Sequence, residues 1–506
     1  MSLMGQAVKN VSATWLGLLV HAVVGFLLSP FILHRLGDEA FSLFVLVFAL
    51  TGYYGLLDLG IRSSIVNYTA RFMATKDEAQ LSRFLSTSLR FYAIVALVVL
   101  LLTGIGFFHL ETLFRIPAAL VGSARLLFLL SGVSVALTFP LSTFASVLEG
   151  LQKFSWLQLS NIGVTLLRAL LIVVALRNGG GLLAIGTIFI AMNVLTYLIF
   201  TGMALQVLTI RLSLERVERK ALREMVSYGV FAFAIVVAEK LRFQSDAMVI
   251  GAFLPATAIT FFFVGSRLVE YSSYAVRSLS QIFTPMCSHF HAVGDWERLQ
   301  RTFTAGNRAC ALIIFPLCVT LVILGKSIIE AWVGARYIAS YSILVLLLIP
   351  RSMYLAQSTS NKILLGMGQH RILAFVLLLE GGVNLLLSLV LVRRFGIAGV
   401  ALGTAIPLAC TSLLFLPRHA CRVLGMPLGT FLNRAYSLPL LLCAPLAAVL
   451  LFAKYAFPAH SYLGLLPQLA CGGVIYGAGL GCALFNGRIL SPGGVLQSAG
   501  TKIGRA

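Results

Sequence analysis

The chemically distinctive residues of this chain are charged side chains inside two long apolar stretches. They are spaced by three or four positions: Glu239, Arg242 and Asp246 in the first stretch, and Arg267, Glu270, Tyr274 and Arg277 in the second. Residues at this spacing share one face of a helix. An arginine guanidinium presents a fork of N–H donors that binds phosphate or carboxylate oxygens. The spacing equally allows internal ion pairs, Glu239 with Arg242 and Arg267 with Glu270, so anion binding and neutralisation both remain open.

The elements that position these residues are expected to be membrane-spanning helices. The chain has 506 residues, of which 59% are hydrophobic and 11% are charged, and its mean hydropathy is +0.96. Soluble domains carry about 25% charged residues, so an ordinary soluble enzyme is excluded. Apolar runs of about 20 residues, each long enough to cross a bilayer, lie near 11–33, 40–60, 84–107, 119–141, 157–176, 183–209, 227–250, 257–280, 305–325, 338–358, 372–392, 398–416, 435–455 and 463–485. The sequence predicts an all-α polytopic membrane protein with about 14 transmembrane helices.

The loop charges orient these helices. The chain has 38 Lys and Arg residues against 17 Asp and Glu, a formal charge of +21. Most of the basic residues outside the spans fall on the side of the N-terminus, and the opposite side has only Arg35, Arg115, Arg125, Arg177, Lys326, Arg336, Arg393, Arg394 and Lys454. Positive residues gather on the cytoplasmic side of membrane proteins. Both termini are therefore expected in the cytoplasm, and the basic excess does not indicate nucleic-acid binding.

The sequence contains an internal duplication with a period near 218 residues. Seven residues recur unchanged at that offset: Phe72, Ala74, Asp77, Leu81, Arg83, Arg90 and Ala93 match Phe290, Ala292, Asp295, Leu299, Arg301, Arg308 and Ala311. At an offset of 217, Arg177, Gly179, Ala184, Gly186 and Thr187 match Arg394, Gly396, Ala401, Gly403 and Thr404. A repeat with an even number of spans keeps its orientation, so two six-helix lobes related by a pseudo-twofold axis along the membrane normal are expected.

The duplication also predicts the division of the chain. An N-terminal six-helix lobe covers 1–210, a basic cytoplasmic linker 211–223, a C-terminal six-helix lobe 224–418, two additional transmembrane helices 419–485, and a cytoplasmic tail 486–506. Twin bundles of this kind are typical of transporters, in which a central cleft opens to either side of the membrane.

Several short motifs resemble a known group of exporters. They are Pro30–Gly37, Gly55–Gly60, Asn67–Arg71, Leu148–Phe154, Asn361–Arg371 and Gly396–Gly403. In order and placement they resemble the polysaccharide transporter branch of the multidrug/oligosaccharidyl-lipid/polysaccharide exporter superfamily, which includes flippases for O-antigen and other lipid-linked oligosaccharides. The resemblance covers about residues 8–485. It implies a flippase that moves undecaprenyl-diphosphate-linked oligosaccharide across the bacterial cytoplasmic (inner) membrane by alternating access, for polysaccharide export.

The resemblance gives the charged residues specific roles. Arg267, Arg277 and Arg242 are expected to hold the diphosphate in the cleft, and Tyr53, Tyr54, Tyr271 and Tyr274 to stack on sugar rings. Asp246, Glu239 and Asp58 are the candidates for coupling transport to an ion gradient, although Asp58 lies where it would also cap a bend beside Gly60. The expected partners are the lipid-linked oligosaccharide, membrane lipids and other membrane proteins of polysaccharide assembly.

Two other classes remain as alternatives. One is an ion-coupled multidrug exporter of the same fold, although intramembrane arginines would repel cationic drugs. The other is a membrane glycan polymerase or glycosyltransferase, which would need a larger outer loop than this chain offers. The sequence has no GxxxxGK[ST] motif, and no catalytic residue, metal or cofactor is predicted.

Overall fold

The chain is helical throughout the part that the structure describes. This computed structural model describes residues 3–208, 233–242, 244–280, 283–459 and 461–485. The helices are α1 Leu3–Gly52, α2 Ile61–Thr75, α3 Glu78–Leu113, α4 Val121–Gly150, α5 Phe154–Arg177, α6 Leu182–Val207, α7 233–242, α8 Ser245–Phe253, α9 Thr257–Ser280, α10 Phe283–Ala292, α11 Trp296–Val333, α12 Ser340–Ala356, α13 Ser358–Gly366, α14 His370–Cys410, α15 Leu416–Val423, α16 Leu428–Ala456 and α17 Tyr462–Phe485. The predicted linker 211–223 and tail 486–506 lie outside the described residues.

The described helices able to cross a membrane account for most, though not all, of the about 14 predicted spans. Nine segments of the described residues are long and apolar enough, or ten when the bent pair α12 and α13 counts as one span. Two of these segments, Ser12–Asp58 and Arg371–Val423, have 47 and 53 residues, each enough for two crossings of about 20 residues. Each contains one glycine outside helical geometry, Gly37 or Gly396. The prediction of an all-α polytopic membrane protein is confirmed.

The chain forms two compact units. The first contains Met1–Phe263 and Ala374–Gly403, and the second contains Val264–Leu373 and Thr404–Ala506, so α9 and α14 contribute residues to both. In the first unit, α2, α3 and α4 bury an apolar cluster that includes Ile61, Leu85 and Tyr92.

In the second unit, α16 and α17 pack against α11. The ring of Phe431 on α16 stacks on that of Phe303 at 4.3 Å between centroids, and Tyr476 on α17 donates a hydrogen bond to the Leu312 carbonyl at 2.7 Å. The two C-terminal helices are therefore an integral part of this unit.

The local geometry at repeated positions agrees with the internal duplication. Asp77 caps the N-terminus of α3 by accepting a hydrogen bond from the Gln80 amide at 3.0 Å. Its counterpart Asp295 caps α11 in the same way, through the Arg298 amide at 3.0 Å. The matched Asp residues are thus retained because each begins a helix after a tight turn.

The close approach of helices is also repeated. A Cβ atom on Gly150 would lie 2.8 Å from the Val66 carbonyl oxygen, and one on Gly366 would lie 3.2 Å from the Thr284 carbonyl oxygen. Val66 and Thr284 are related by the 218-residue period, and the two glycines by an offset of 216. Both halves of the sequence therefore require a glycine where the end of one helix meets another.

Candidate functional site

The first charged stretch is not one continuous helix. Residues 233–242 are helical, Gln244 lies in a turn, and α8 begins at Ser245, so Asp246 lies on a different helix from Glu239 and Arg242. Glu239 is exposed, whereas Arg242 and Asp246 are buried. The break therefore lies between the pair Glu239 and Arg242 on α7 and Asp246 on α8.

Arg242 forms a buried ion pair with a residue distant in sequence. Its Nε lies 2.5 Å from Oε1 of Glu380 on α14, and the two residues are 1% and 4% exposed. The alternative pairing of Arg242 with Glu239 is therefore wrong. The sequence did offer a signal for the true partner, since Glu380 is the one carboxylate in the apolar run 372–392.

The break between α7 and α8 is held by polar side chains of the first unit. Asn384 on α14 donates from Nδ2 to the Arg242 backbone oxygen at 3.1 Å. Tyr53 donates its hydroxyl hydrogen to the Lys240 carbonyl at 3.2 Å, and Ser245 and Asp246 lie beside the same hydroxyl. The Lys240 carbonyl also accepts a hydrogen bond from the Gln244 amide at 3.0 Å, so side chains of α14 and of the turn after α1 add to the backbone bonding at this helix end.

Tyr54 and Asp58 lie in a different part of the first unit. The Tyr54 hydroxyl is 3.0 Å from that of Thr103. Tyr92 donates to Asp58 Oδ1 at 2.6 Å, and the backbone amides of Gly60 and Arg62 also hydrogen-bond to Asp58. Asp58 thus has the geometry of a cap on the bend that begins α2, as its position beside Gly60 suggested.

The second charged stretch forms a basic and aromatic cluster on α9. Arg267 Nη1 lies 2.7 Å from Glu270 Oε2, and its Cζ is 5.7 Å from the centre of the Tyr271 ring. Tyr274 donates to the other Glu270 oxygen at 3.4 Å, with its ring 6.2 Å from that of Tyr271. The ion pair allowed by the spacing is therefore formed.

Arg277 differs from Arg267. Its side chain is exposed in the last turn of α9, and no carboxylate of the described residues forms a salt bridge with it. Sequence reasoning did not find Trp332 on α11, whose ring meets that of Tyr271 edge-on at 6.3 Å. The α9 cluster, defined as Arg267, Glu270, Tyr271, Tyr274 and Arg277, thus combines two cations, one acid and two aromatic rings tilted against each other.

Segments from the two sequence repeats also meet inside the first unit. Thr260 donates to the Asp38 carbonyl at 3.0 Å, and the Arg115 amide donates to the Gly251 carbonyl at 3.1 Å. The rings of Phe41 and Phe263 meet edge-on at 5.1 Å. In the predicted topology these contacts lie towards the side opposite the N-terminus. Among the described residues no group of three or more His, Cys, Asp or Glu side chains could hold a metal.

Solved structures of membrane transporters share this fold. The lipid II flippase MurJ in an inward closed conformation is 16% identical, with 94% of this chain and 98% of that chain covered and a TM-score of 0.73. An inward-facing multidrug resistance MATE transporter of the MOP superfamily is 12% identical, with 83% and 98% covered and a TM-score of 0.68. The fold and the charged helices thus define a multi-pass membrane protein of the MOP architecture.

The sequence matches a family model and curated relatives. Residues 32–342 match the family described as "Polysaccharide biosynthesis protein", and the chain belongs to this family. A membrane protein of Bacillus subtilis, EpsK, is 22% identical over 84% of this chain and 85% of its own length. A protein of Shigella flexneri named as an O-antigen transporter is 19% identical over 80% of this chain and 96% of its own length. The predicted superfamily is confirmed.

Proposed function

We propose that this protein is a flippase that moves undecaprenyl-diphosphate-linked oligosaccharide across a bacterial cytoplasmic membrane. The observation that carries the proposal is the α9 cluster, which sets an arginine with no salt bridge among the described residues beside two tyrosines on a membrane helix. Family membership supports it, as do the names of relatives, among them a glycan biosynthesis flippase of Haloferax volcanii that matches 47% of this chain. Both termini lie in the cytoplasm in this proposal, because the basic loops share their side.

The cluster suits the chemistry of the proposed cargo. Arg277 and Arg267 donate charge-assisted hydrogen bonds to the diphosphate, and Glu270 limits the net charge so that the head group can also leave. Tyr271 and Tyr274 present aromatic rings to the sugars, and Tyr53 and Tyr54 do so in the first unit. Because Glu380 already neutralises Arg242, we assign Arg242 to positioning the α7–α8 break rather than to holding the diphosphate.

Transport proceeds by alternating access in this proposal. The contacts of Asp38 with Thr260 and of Arg115 with Gly251 tie the outer ends of helices from both repeats, and they must open for release. Asp246, buried beside Tyr53 at the start of α8, is the carboxylate that we propose for ion coupling, ahead of the exposed Glu239 and the capping Asp58.

Replacing the arginines of α9 tests the proposal. Purified Arg267→Ala and Arg277→Ala proteins are reconstituted into vesicles, and the translocation of undecaprenyl-diphosphate-linked glycan is measured. A hydrogen bond to a charged group contributes about 1.5–3 kcal/mol, so each loss is expected to slow transport roughly tenfold to a hundredfold. Arg301→Ala, on the exposed cytoplasmic start of α11, is the matched control and is expected to transport normally. Full rates in both α9 variants would refute the assignment.

A further inference from the structure

A further arginine at membrane depth, Arg168, lies on the inner face of α5. Val164, Ile172 and Leu176 are buried at four-residue spacing around it, whereas Leu170 on the opposite face is 60% exposed. With a rise of 1.5 Å per residue, Arg168 lies about 13 Å from the end of α5 at Arg177. A cation at this depth, turned away from lipid, is costly unless something neutralises it.

The described residues supply aromatic rings to Arg168 but no negative charge. Its Cζ lies 5.1 Å from the centre of the Phe189 ring on α6, and Phe189 contacts Phe44 and Phe48 of α1 at 5.1 and 5.7 Å. The Arg168 Nε is buried and has no hydrogen-bond partner among these residues. Neither α5 nor α6 contains an Asp or Glu, and no salt bridge or charged neighbour of Arg168 is found in the described part of the chain. A cation–π contact is attractive but leaves the full charge in place.

The second sequence repeat shows what an internally neutralised arrangement looks like. An offset of 216 aligns the buried face of α5 with that of α14, so that Val164 corresponds to Glu380 and Arg168 to Asn384. In the second repeat, Glu380 neutralises the buried Arg242, and the position of Arg168 is a neutral Asn. The first repeat has the cation without the carboxylate. None of the described residues supplies its counter-anion.

We propose that Arg168, with the rings of Phe44, Phe48 and Phe189, is a binding position for an anionic group of a glycolipid. The guanidinium binds a phosphate or carboxylate by charge-assisted hydrogen bonds, and the rings contact the apolar face of a sugar or lipid. This inference rests on the proposed function and deepens it, because it adds a second anion-binding position, remote in sequence from the α9 cluster, to the path of the cargo.

The test measures binding without transport. Purified protein in dodecyl maltoside, a neutral glycolipid detergent, is titrated with undecaprenyl diphosphate or with dodecyl glucuronide, and binding is followed by the shift of the thermal unfolding midpoint. The two probes separate a phosphate ligand from a carboxylate ligand. Arg168→Asn, the residue of the second repeat, is expected to weaken binding of at least one probe by fivefold or more. Arg168→Lys is expected to retain part of the affinity, and Arg177→Asn on the outer end of α5 all of it.

A second variant keeps the arginine and supplies the missing acid. Val164→Glu places a carboxylate four residues before Arg168 on the same face, in the favourable order for an i,i+4 pair. It is expected to fold at least as stably as the wild type and to weaken probe binding as much as Arg168→Asn does. A purely structural arginine would leave binding unchanged in Val164→Glu.

The inference is overturned if the wild type binds neither probe, or if Arg168→Asn and Val164→Glu bind both probes with wild-type affinity. It fails separately from the proposed function. If Arg277→Ala loses transport while Arg168→Asn binds the probes normally, the proposed flippase function stands and the proposed anion-binding position at Arg168 is rejected. If probe binding depends on Arg168 but the protein moves no lipid-linked glycan, the anion-binding position stands and the proposed flippase function is rejected.

Discussion

At the scale of residues, the arginines at membrane depth differ in what neutralises them. Arg242 is paired with Glu380 inside the first unit, Arg267 is paired with Glu270 on its own helix, and Arg168 faces a phenylalanine ring. Because an unpaired charge in hydrocarbon is costly, these differences separate arginines that stabilise the fold from those available to a ligand.

The buried pair of Arg242 and Glu380 is expected to stabilise the fold through mutual neutralisation. Removing one partner of a buried pair costs about 3–5 kcal/mol, because the other charge is left uncompensated. Arg242→Ala and Glu380→Ala are therefore each expected to lower the thermal unfolding midpoint in detergent clearly. The double variant Arg242→Ala/Glu380→Ala is expected to recover much of that loss. The difference between its loss and the sum of the two single losses measures the coupling between the two residues.

Glu270→Ala is the matched control, since its pair with Arg267 is partly exposed and such pairs contribute about 0–1 kcal/mol. Additive losses in the double variant of Arg242 and Glu380 would contradict a mutual neutralisation.

The sequence located these charges more reliably than it paired them. Spacing within a helix identifies neighbours such as Arg267 and Glu270, whose pair is three residues apart. Helical spacing cannot identify Glu380 as the partner of Arg242, because the two residues are distant in sequence and meet only through the packing of α14 in the first unit. The positions of charges within apolar runs were predictable, whereas partners on other helices require the fold.

At the scale of elements, the hydrophobic periodicity did not predict where helices are interrupted. The apolar run 227–250 predicted one span, but in its described part a turn at Gln244 separates α7 from α8. Polar side chains of the turn after α1 and of α14 hydrogen-bond to the backbone there. Periodicity records where a helix is apolar and does not record where tertiary contacts interrupt it. The span positions and the repeated Asp caps, which depend on local sequence, were predictable.

The contacts at the outer helix ends of the first unit lead to a prediction about motion. If Asp38 and Thr260 must separate for release, a covalent link between them stops transport. Asp38→Cys/Thr260→Cys protein treated with a short bis(methanethiosulfonate) reagent, which links the two thiols through disulfides, is expected to lose translocation in vesicles and to regain it on reduction. The single variants, treated identically, are the controls for the eight native cysteines. Undiminished transport by cross-linked protein, with the link verified by mass spectrometry, would contradict a release step at this position.

At the scale of the whole molecule, the chain belongs to a family of polysaccharide biosynthesis proteins, and its fold is that of a multi-pass membrane protein. Composition and span count were sufficient to predict the fold class, because the bilayer restricts a chain of this hydropathy to helices. The fold does not determine the transported substrate, since the same fold is found in a lipid II flippase and in multidrug transporters. The charges of the helices, rather than their arrangement, must distinguish these cargoes.

The most direct test of the central claim is a transport measurement on the purified wild-type protein. The protein is reconstituted into liposomes containing a fluorescent undecaprenyl-diphosphate-linked oligosaccharide, and the fraction accessible to an external glycosidase is followed over time. Our account predicts translocation well above that of protein-free liposomes, with competition by undecaprenyl diphosphate and none by a cationic drug. Translocation at the protein-free rate, or uptake of the cationic drug in its place, would contradict it.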